Sequence, residues 1–316
     1  MTNTTYVVTP VYNGEKYLRE TMDSVQAQTW PNLIHLVVDN ASTDATPKIL
    51  REYSDAQVPV RVIRNDNLLP QIDNWNKAVA LIPEDAEWFR LLCADDTIAP
   101  DYIEKCVTAG RGDKDIGIVT CDVNSGDSVQ NSVWPDDIGI LDGREALRRF
   151  LTLRGNLLAP HLLYRPDVLS DDAPFFDETA SAFDTDAVLR SLCNCKLGIV
   201  HETLAVRRLH DDTVTAREVL PKRLHLFQWY EFLHRYGHEV FPFEENTALR
   251  RRYRRHYLWR LLRAAFVSRN VDVWEIHSRH LNEIGEKPGI ADVFSVLMDR
   301  FLIFFRLRKG WGDYPW

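Results

Sequence analysis

The sequence predicts an α/β protein: a mainly parallel sheet flanked by helices, followed by a helical C-terminal region. Three observations lead there. From Tyr6 to Cys121, short apolar or β-branched runs alternate with amphipathic segments. The connections between them are short, as suits parallel strands joined by crossover helices covering both sheet faces. From Pro221 onward the pattern is almost entirely helical.

Tyr6–Thr9 reads as a buried strand. A helix follows over 15–28, with Leu18, Met22 and Val25 on one face at 4,3 spacing. Leu33–Val38 is an apolar run ending in Asp39-Asn40. Thr43 or Asp44 can cap the next helix, which turns Ile49 and Leu50 inward. Val60–Ile63 is the third strand, and Ile72, Trp75 and Val79 mark another helix face. Trp88–Leu92 is the fourth strand and runs into Asp95-Asp96. Pro100 suits the first turn of a helix carrying Tyr102, Ile103 and Cys106. Ile116–Cys121 is the fifth strand. Over 123–142 the pattern breaks into loop, around Asn124-Ser125-Gly126-Asp127 and Pro135-Asp136-Asp137. Helices are expected over 143–153 and about 185–193, and a strand over 161–164. The domain boundary is expected near residue 215, separating an α/β domain (1–215) from a helical region (216–316).

Composition narrows the class. The 316 residues are 45% hydrophobic and 27% charged, ordinary for a globular protein. A net charge of −8 argues against nucleic acid as a partner. The five cysteines form no CxxC pair and are odd in number, which suits reduced thiols in a cytosolic protein. The chain enters its first strand without a leader pattern, and no run of about 18 apolar residues forms a membrane span. A cytoplasmic location is expected.

Asn13, Asp39, Asn67 and the Asp95/Asp96 pair all fall just after strands or in the loops that follow. In a parallel sheet those loops share one rim, where open α/β sheets bind ligands. Adjacent carboxylates repel, and a divalent cation would relieve them. Taken singly, each feature also reads as turn or cap chemistry.

In order and spacing, Thr9-Pro10-Val11-Tyr12-Asn13-Gly14, Val37-Val38-Asp39-Asn40-Ala41-Ser42-Thr43-Asp44 and Ala94-Asp95-Asp96 resemble the family 2 inverting glycosyltransferases of the GT-A fold, over roughly residues 4 to 210. The resemblance implies a Rossmann-like domain in which Pro10, Tyr12 and Asn13 line a nucleotide pocket, with Asn67 on the same rim. It implies that Asp39 bonds the base, most often a uracil N3–H. Asp95 would contact the ribose or diphosphate, and Asp96 would hold Mg²⁺ or Mn²⁺ against the diphosphate oxygens. Two positions depart from the family's pattern: Cys93 stands where an acid is common, and Leu69 where a glycine is common.

The segment around Ser181-Ala182-Phe183-Asp184-Thr185-Asp186 resembles the family's acceptor-side motif. Aligning Leu189-Arg190 puts the catalytic base at Asp184, with Asp186 the alternative; either also reads as a helix cap. Phe183 replaces the usual glutamate, and an apolar neighbour would raise the pKa of Asp184, as suits a base. Arg207-Arg208-Leu209-His210 resembles the family's closing segment, which makes His210 a candidate third metal ligand; the loop after it would cover the donor. The acceptor is expected to meet residues 156–165 and the loop around Trp134, a tryptophan that either stacks on a sugar or belongs to the core.

The C-terminal hundred residues lie outside the resemblance. Arg250-Arg251-Arg252-Tyr253-Arg254-Arg255-His256 is a dense basic cluster, and Arg300-Phe301-Leu302-Ile303-Phe304-Phe305-Arg306 joins apolar bulk to flanking cations. Either this is a helical subdomain with solvated or paired arginines, or it makes peripheral contact with anionic lipid on the inner face of the membrane. The implied activity is metal-dependent inverting transfer from a nucleotide-sugar donor, UDP- or dTDP-linked by preference. The acceptor would be a saccharide or lipid-linked saccharide hydroxyl in cell-surface polysaccharide synthesis. The alternative is a catalytically inactive nucleotide-sugar-binding or scaffold subunit, which Cys93 and Phe183 favour. A dinucleotide-dependent oxidoreductase is set aside because no GxGxxG follows the first strand.

Overall fold

The computed structural model describes residues 4–126, 128–130, 134–152, 161–170, 172–266 and 271–305. The chain divides into two compact units, Met1–Leu209 and His210–Trp316.

In the first unit, β1 (Thr5–Val11), β2 (Leu33–Asp39), β3 (Val60–Arg64) and β4 (Trp88–Leu91) lie in the order β3-β2-β1-β4, all parallel. They alternate with α1 (Leu18–Gln26), α2 (Thr46–Arg51), α3 (Gln71–Ala80) and α4 (Tyr102–Gly110). Every residue of β1 and β4 is buried, as coverage on both faces requires, although β1 carries Thr5 and Thr9 and β4 carries Arg90. β5 (Thr97–Ile98), β6 (Ile116–Ser125), β9 (Leu163–Tyr164) and β10 (Lys196–Arg207) extend the sheet past β4 in the order β9-β6-β10-β5. β7 (Ser128–Gln130) and β8 (Ile140–Leu141) pair with β6 and β10. The sheet is therefore mixed: β6 and β10 pair in parallel, whereas the short β5, β7, β8 and β9 pair antiparallel. Strand order runs outward from β1 in one direction to β3 and in the other to β4. This makes the β1/β4 junction a switch point with a crevice beyond the strands' carboxyl ends.

One core cluster joins Val7, Trp88, Leu92, Tyr102, Ile103, Ile116 and Leu163. A second joins Val11, Leu18, Met22, Val37, Ile49 and Leu50. α5 (Gly143–Leu151) is capped by Asp142, whose carboxylate accepts from the N–H groups of Arg144 and Glu145. α6 (Phe183–Leu192) follows.

Several details differ from the sequence expectation. α2 starts at Thr46 with Ala45 in the cap position; the Ala45 N–H is satisfied by Glu15 Oε2 at 3.0 Å and the Thr46 N–H by Asp44 Oδ1 at 2.9 Å. The early N–H groups thus find one acceptor that is distant in sequence. Pro100 precedes the cap residue Asp101 rather than sitting in the first turn of α4. The expected loop from 123 is in part a hairpin: β6 runs to Ser125, Gly126 turns with φ of 65°, and β7 returns. Asp127 and Leu153 lie outside the described residues.

The second unit contains α7 (His225–Val240), α8 (Phe243–Phe266), α9 (Val271–Glu283) and α10 (Ile290–Phe304). Its core gathers Tyr230, Tyr253, Tyr257 and Leu261. Tyr257 Oη donates to His277 Nδ1 at 2.6 Å, and His277 Nε2 donates to Lys222 O at 2.8 Å. Three arginines of the basic cluster on α8 meet internal partners: Arg250 meets Glu286, Arg254 meets Asp292 and Glu286, and Arg255 meets Asp299. Among the described residues no helix is long and apolar enough to cross a membrane.

Candidate active site

The loop after β1 and the loop after β2 are stitched together. Asn13 adopts a left-handed φ of 50°, a region that asparagine tolerates better than most residues. Its N–H donates to Ser42 Oγ at 2.9 Å and its Oδ1 accepts from the Thr43 N–H at 2.8 Å. Gly14 follows, with its N–H on Thr46 Oγ1 at 2.8 Å; a side chain there would meet Val11 Cγ2 at 2.7 Å. Pro10 is buried in β1 opposite Val38, and Tyr12 stands 48% exposed on the rim.

Asp39 ends β2 and is only 1% exposed. Its Oδ1 accepts from the Ser42 N–H at 2.9 Å, and its Oδ2 pairs with the Arg64 guanidinium. Arg64 stands opposite Asp39 in the β2–β3 register and also donates to Ser42 O at 2.8 Å. Both flank a cavity of about 400 Å³ whose wall includes Pro47, Leu50, Tyr53 and Val62. Arg64 was not among the expected site residues; its signal was a cation at a strand end, one rim position from Asp39.

Asn67 is exposed, whereas Asn65 is buried and carries the contacts in that loop. Asn65 Nδ2 donates to Asn40 Oδ1 (2.8 Å) and to Asn74 Oδ1 (2.9 Å), and Lys77 Nζ donates to Asn65 Oδ1 (2.7 Å). Asn40 in turn bonds both backbone groups of Leu69, so the network sets how the loop at the non-glycine position folds.

At the end of β4, the ligand atoms of Cys93, Asp95 and Asp96 lie within 4.8 Å of one another. Asp96 is 5% exposed. Burial first, and the Asp95 charge second, push its pKa up to about 7. Its Oδ1 accepts from the Arg208 N–H at 2.9 Å, and its Oδ2 is 3.6 Å from His161 Nε2. Arg208 also donates through Nε to Asp95 O at 3.1 Å, meets Glu20, and lies 4.5 Å over the Tyr17 ring. Cys93 is half-buried beside the two carboxylates. Burial, then the charges of Asp96, Asp95 and Asp184, push its thiol pKa up, so it is a protonated thiol.

Behind Asp96 lies a group that sequence reasoning missed. Arg90 is fully buried in β4, lies 4.1 Å over the Tyr102 ring, and donates to Tyr102 Oη. Its Nη2 is 3.4 Å from His161 Nδ1. A guanidinium only donates, so Nδ1 accepts and Nε2, facing Asp96, carries the proton. Burial, Arg90 and Arg207 hold the His161 pKa well below its ordinary value, so the ring is neutral. An arginine inside a buried strand was the available signal, because such a cation needs a functional or structural partner.

Asp184 stands in the first turn of α6, half-buried. Burial raises its pKa, against opposing hydrogen bonds from Thr185 and the Arg207 charge. Its charge adds to burial in raising the Cys93 thiol and the Tyr164 phenol. Phe183 packs edge-on against Trp75 and Phe176, at 5.5 and 5.4 Å between ring centroids. Asp186 is buried at 1% exposure. Trp134 is 2% exposed, which makes it core and removes it as a sugar-stacking surface. Residues 156–160 of the expected acceptor segment lie outside the described residues. His210 is the first residue of the second unit, where its Nδ1 accepts from the Asp212 N–H at 3.2 Å.

The donor set at β4 fits a hard divalent cation. Two carboxylates offer oxygen ligands, the buried one is costly to ionise without a cation, and the protonated thiol adds no competing soft ligand.

The sequence profile of glycosyl transferase family 2 matches residues 6–169, from β1 to the turn after β9. The chain belongs to this family. It is 27% identical over 193 residues to an uncharacterized glycosyltransferase of Haemophilus influenzae, covering 55% of this chain and 59% of the relative. It is 29% identical over 216 residues to another from Rickettsia typhi, covering 66% and 65%. The chain thus spans less than two thirds of these relatives' length. Among solved structures, Staphylococcus aureus TarS 1–349 with UDP-GlcNAc aligns with a TM-score of 0.65 at 19% identity, over 90% of this chain and 82% of that one. The mannosyltransferase PcManGT of Pyrobaculum calidifontis, in complex with GDP-Man and Mn²⁺, aligns with a TM-score of 0.58 at 14% identity, over 97% and 81%. At these identities the likeness is one of fold, the GT-A fold.

Proposed function

We propose that this family 2 chain is a metal-dependent inverting glycosyltransferase acting on a nucleoside-diphosphate sugar. One observation carries the reading: Asp95 and buried Asp96 converge with Cys93 at the end of β4, beside the β1/β4 switch point. The nucleotide-sugar complexes of TarS and PcManGT support a donor of this class.

Pro10, Tyr12 and Asn13 line the nucleotide side, and Asp39 faces the base. A uracil or thymine N3–H would take the Asp39 oxygen now held by Arg64, the half-exposed partner of the pair. Asp95 faces the ribose or diphosphate. Asp96, with Asp95, would hold Mg²⁺ or Mn²⁺, which when bound neutralises charge developing on the departing diphosphate. The Arg208 N–H, which donates to its Oδ1, orients Asp96, and the neutral His161 ring lies beside it. Asp184 accepts the proton of the acceptor hydroxyl as that oxygen bonds to the anomeric carbon and the bond to the diphosphate oxygen breaks. Its raised pKa gives it basicity that an exposed aspartate lacks, and its half-exposed position favours it over buried Asp186. Attack opposite the leaving group inverts the configuration, so an α-linked donor gives a β-linked product. The acceptor is a hydroxyl of a saccharide, free or lipid-linked, in cell-surface polysaccharide synthesis.

Cys93 and Phe183, where family members usually carry acids, favour a second reading, an inactive nucleotide-sugar-binding subunit. Thermal-shift and turnover assays with UDP-, dTDP- and GDP-sugars, with and without Mn²⁺, separate the two. The enzyme reading expects a metal-dependent stabilisation by at least one nucleotide, and donor turnover that Asp96→Asn abolishes. Binding without turnover for any donor and acceptor pool supports the inactive subunit.

A further inference from the structure

Behind the carboxylate pair a buried donor is aimed at the site and left unpaired. His161 is 2% exposed, and its Nε2 has no hydrogen-bond partner among the described residues. Buried donors are almost always bonded in native proteins, because an unmade bond leaves the full cost of desolvation. The atom this nitrogen faces is Asp96 Oδ2, at 3.6 Å. That lies just beyond hydrogen-bond range, and a shift of about 0.5 Å would close it.

The ring is held from its far side. Arg90, fully buried in β4, places Nη2 3.4 Å from Nδ1. The Tyr102 hydroxyl, which accepts from Arg90, donates to His161 O at 3.2 Å. A guanidinium cannot accept, so Nδ1 carries the lone pair and Nε2 the proton. Nε2 is therefore not a cation ligand, because ligation would move the proton to Nδ1, against the guanidinium. Donation into Nδ1 also polarises the ring and strengthens Nε2–H as a donor.

Asp96 is held elsewhere by groups of its own unit. The Arg208 N–H donates to Oδ1 at 2.9 Å, and Thr21 Oγ1 donates to the Asp96 backbone carbonyl at 2.8 Å. The main chain and Oδ1 are thus fixed, and Oδ2 faces the imidazole. A carboxylate that binds a cation accepts only, and donors behind it set its orientation and affinity.

We propose that His161 is a positioning residue for the metal site: its Nε2–H donates to Asp96 Oδ2 when that carboxylate binds a divalent cation, and so sets which lone pairs remain for the ion. The inference rests on reading Asp96 as the residue that holds the cation. Arg90 and Tyr102 act through His161.

The test is Mn²⁺ binding to the full chain, alone and with UDP or GDP, followed by electron paramagnetic resonance of the free ion. His161→Phe keeps an aromatic ring without a donor. His161→Gln restores a donor, with its Oε1 and Nε2 spaced like the two ring nitrogens. Mn²⁺ affinity is expected to fall at least about tenfold in His161→Phe and to return to within about threefold of the parent in His161→Gln. Nucleotide affinity without metal should not change. A histidine that only satisfied Arg90 would lower the melting temperature of His161→Phe and leave its Mn²⁺ affinity at the parent value, which overturns the proposal. Long-range ¹H–¹⁵N spectra of the ¹⁵N-histidine parent read the tautomer directly, and stand even if His161→Phe fails to fold. The Nε2–H form is expected, and an Nδ1–H form overturns the proposal. A parent chain that binds no Mn²⁺, with or without nucleotide, refutes the metal reading and this inference with it. Parent binding that His161→Phe leaves unchanged refutes this inference alone.

Discussion

Asn65 and Asn67 sit two residues apart in one loop and have opposite surroundings. Asn65 is buried and joins Asn40, Asn74 and Lys77; Asn67 is exposed. Asn65→Ala removes three polar contacts and strands buried partners, at an expected cost of about 2–4 kcal/mol, whereas Asn67→Ala should stay within about 0.5 kcal/mol. Urea denaturation of the two variants checks this. The pair also shows what the sequence made legible: it located the rim loop after β3, but which asparagine points inward depends on tertiary contacts. The same holds for Arg64 and His161, whose partners lie far away in sequence. Asp39, Asp95, Asp96 and Asp184 stand in ordered motifs, which is what marks them in the sequence as candidate site residues. His35 adds a pH prediction. Its buried ring, bonded to Thr9 Oγ1 at 2.9 Å, has a pKa lowered from 6.5 to about 3 by burial. The unfolded chain therefore binds a proton the folded chain refuses. Stability is unaffected above pH 6.5 and falls between pH 6.5 and about 3, by about 1.4 kcal/mol per pH unit. His35→Gln should flatten this acid limb in denaturation measured from pH 7 to 4; an unchanged slope contradicts it.

At the scale of elements, long apolar strands announced themselves and short ones did not. β1, β2, β4 and β6 follow largely apolar or β-branched runs, so their existence was legible. β5 and β8 have two residues each and exist only because β10 pairs with them. Helix starts were blurred for a related reason: the Ala45 N–H is satisfied by Glu15, which no local pattern reveals. The start of α5 sits very close to the end of α6 and the turn that leads into β10. A side chain on Gly143 would stand 1.9 Å from Cys195 O and 2.2 Å from Leu192 O, both backbone atoms. Gly143→Ala must push α5 from its seat and is expected to cost more than about 3 kcal/mol. A melting temperature within a degree or two of the parent chain would show that the seat is looser than the structure describes.

At the scale of the whole molecule, the first unit supplies a switch-point crevice with a carboxylate pair at the end of β4, and the second supplies a helical bundle. The parallel half of the sheet, the rim and the helical second unit were all legible in the sequence, because periodicity reports burial and burial reports architecture. The pairing of Arg250, Arg254 and Arg255 with carboxylates was not, since charge on a helix does not say which way it faces. The central claim is that the carboxylate cluster performs inverting transfer with Asp184 as base. Its most direct test is kcat for donor consumption, with nucleotide affinity measured in parallel, for the parent chain, Asp184→Asn and Asp186→Asn. The account predicts that Asp184→Asn keeps nucleotide affinity within about twofold while kcat falls by about 10²–10⁴. Parent-like turnover by Asp184→Asn, or a selective loss of kcat in Asp186→Asn with its fold intact, would contradict it.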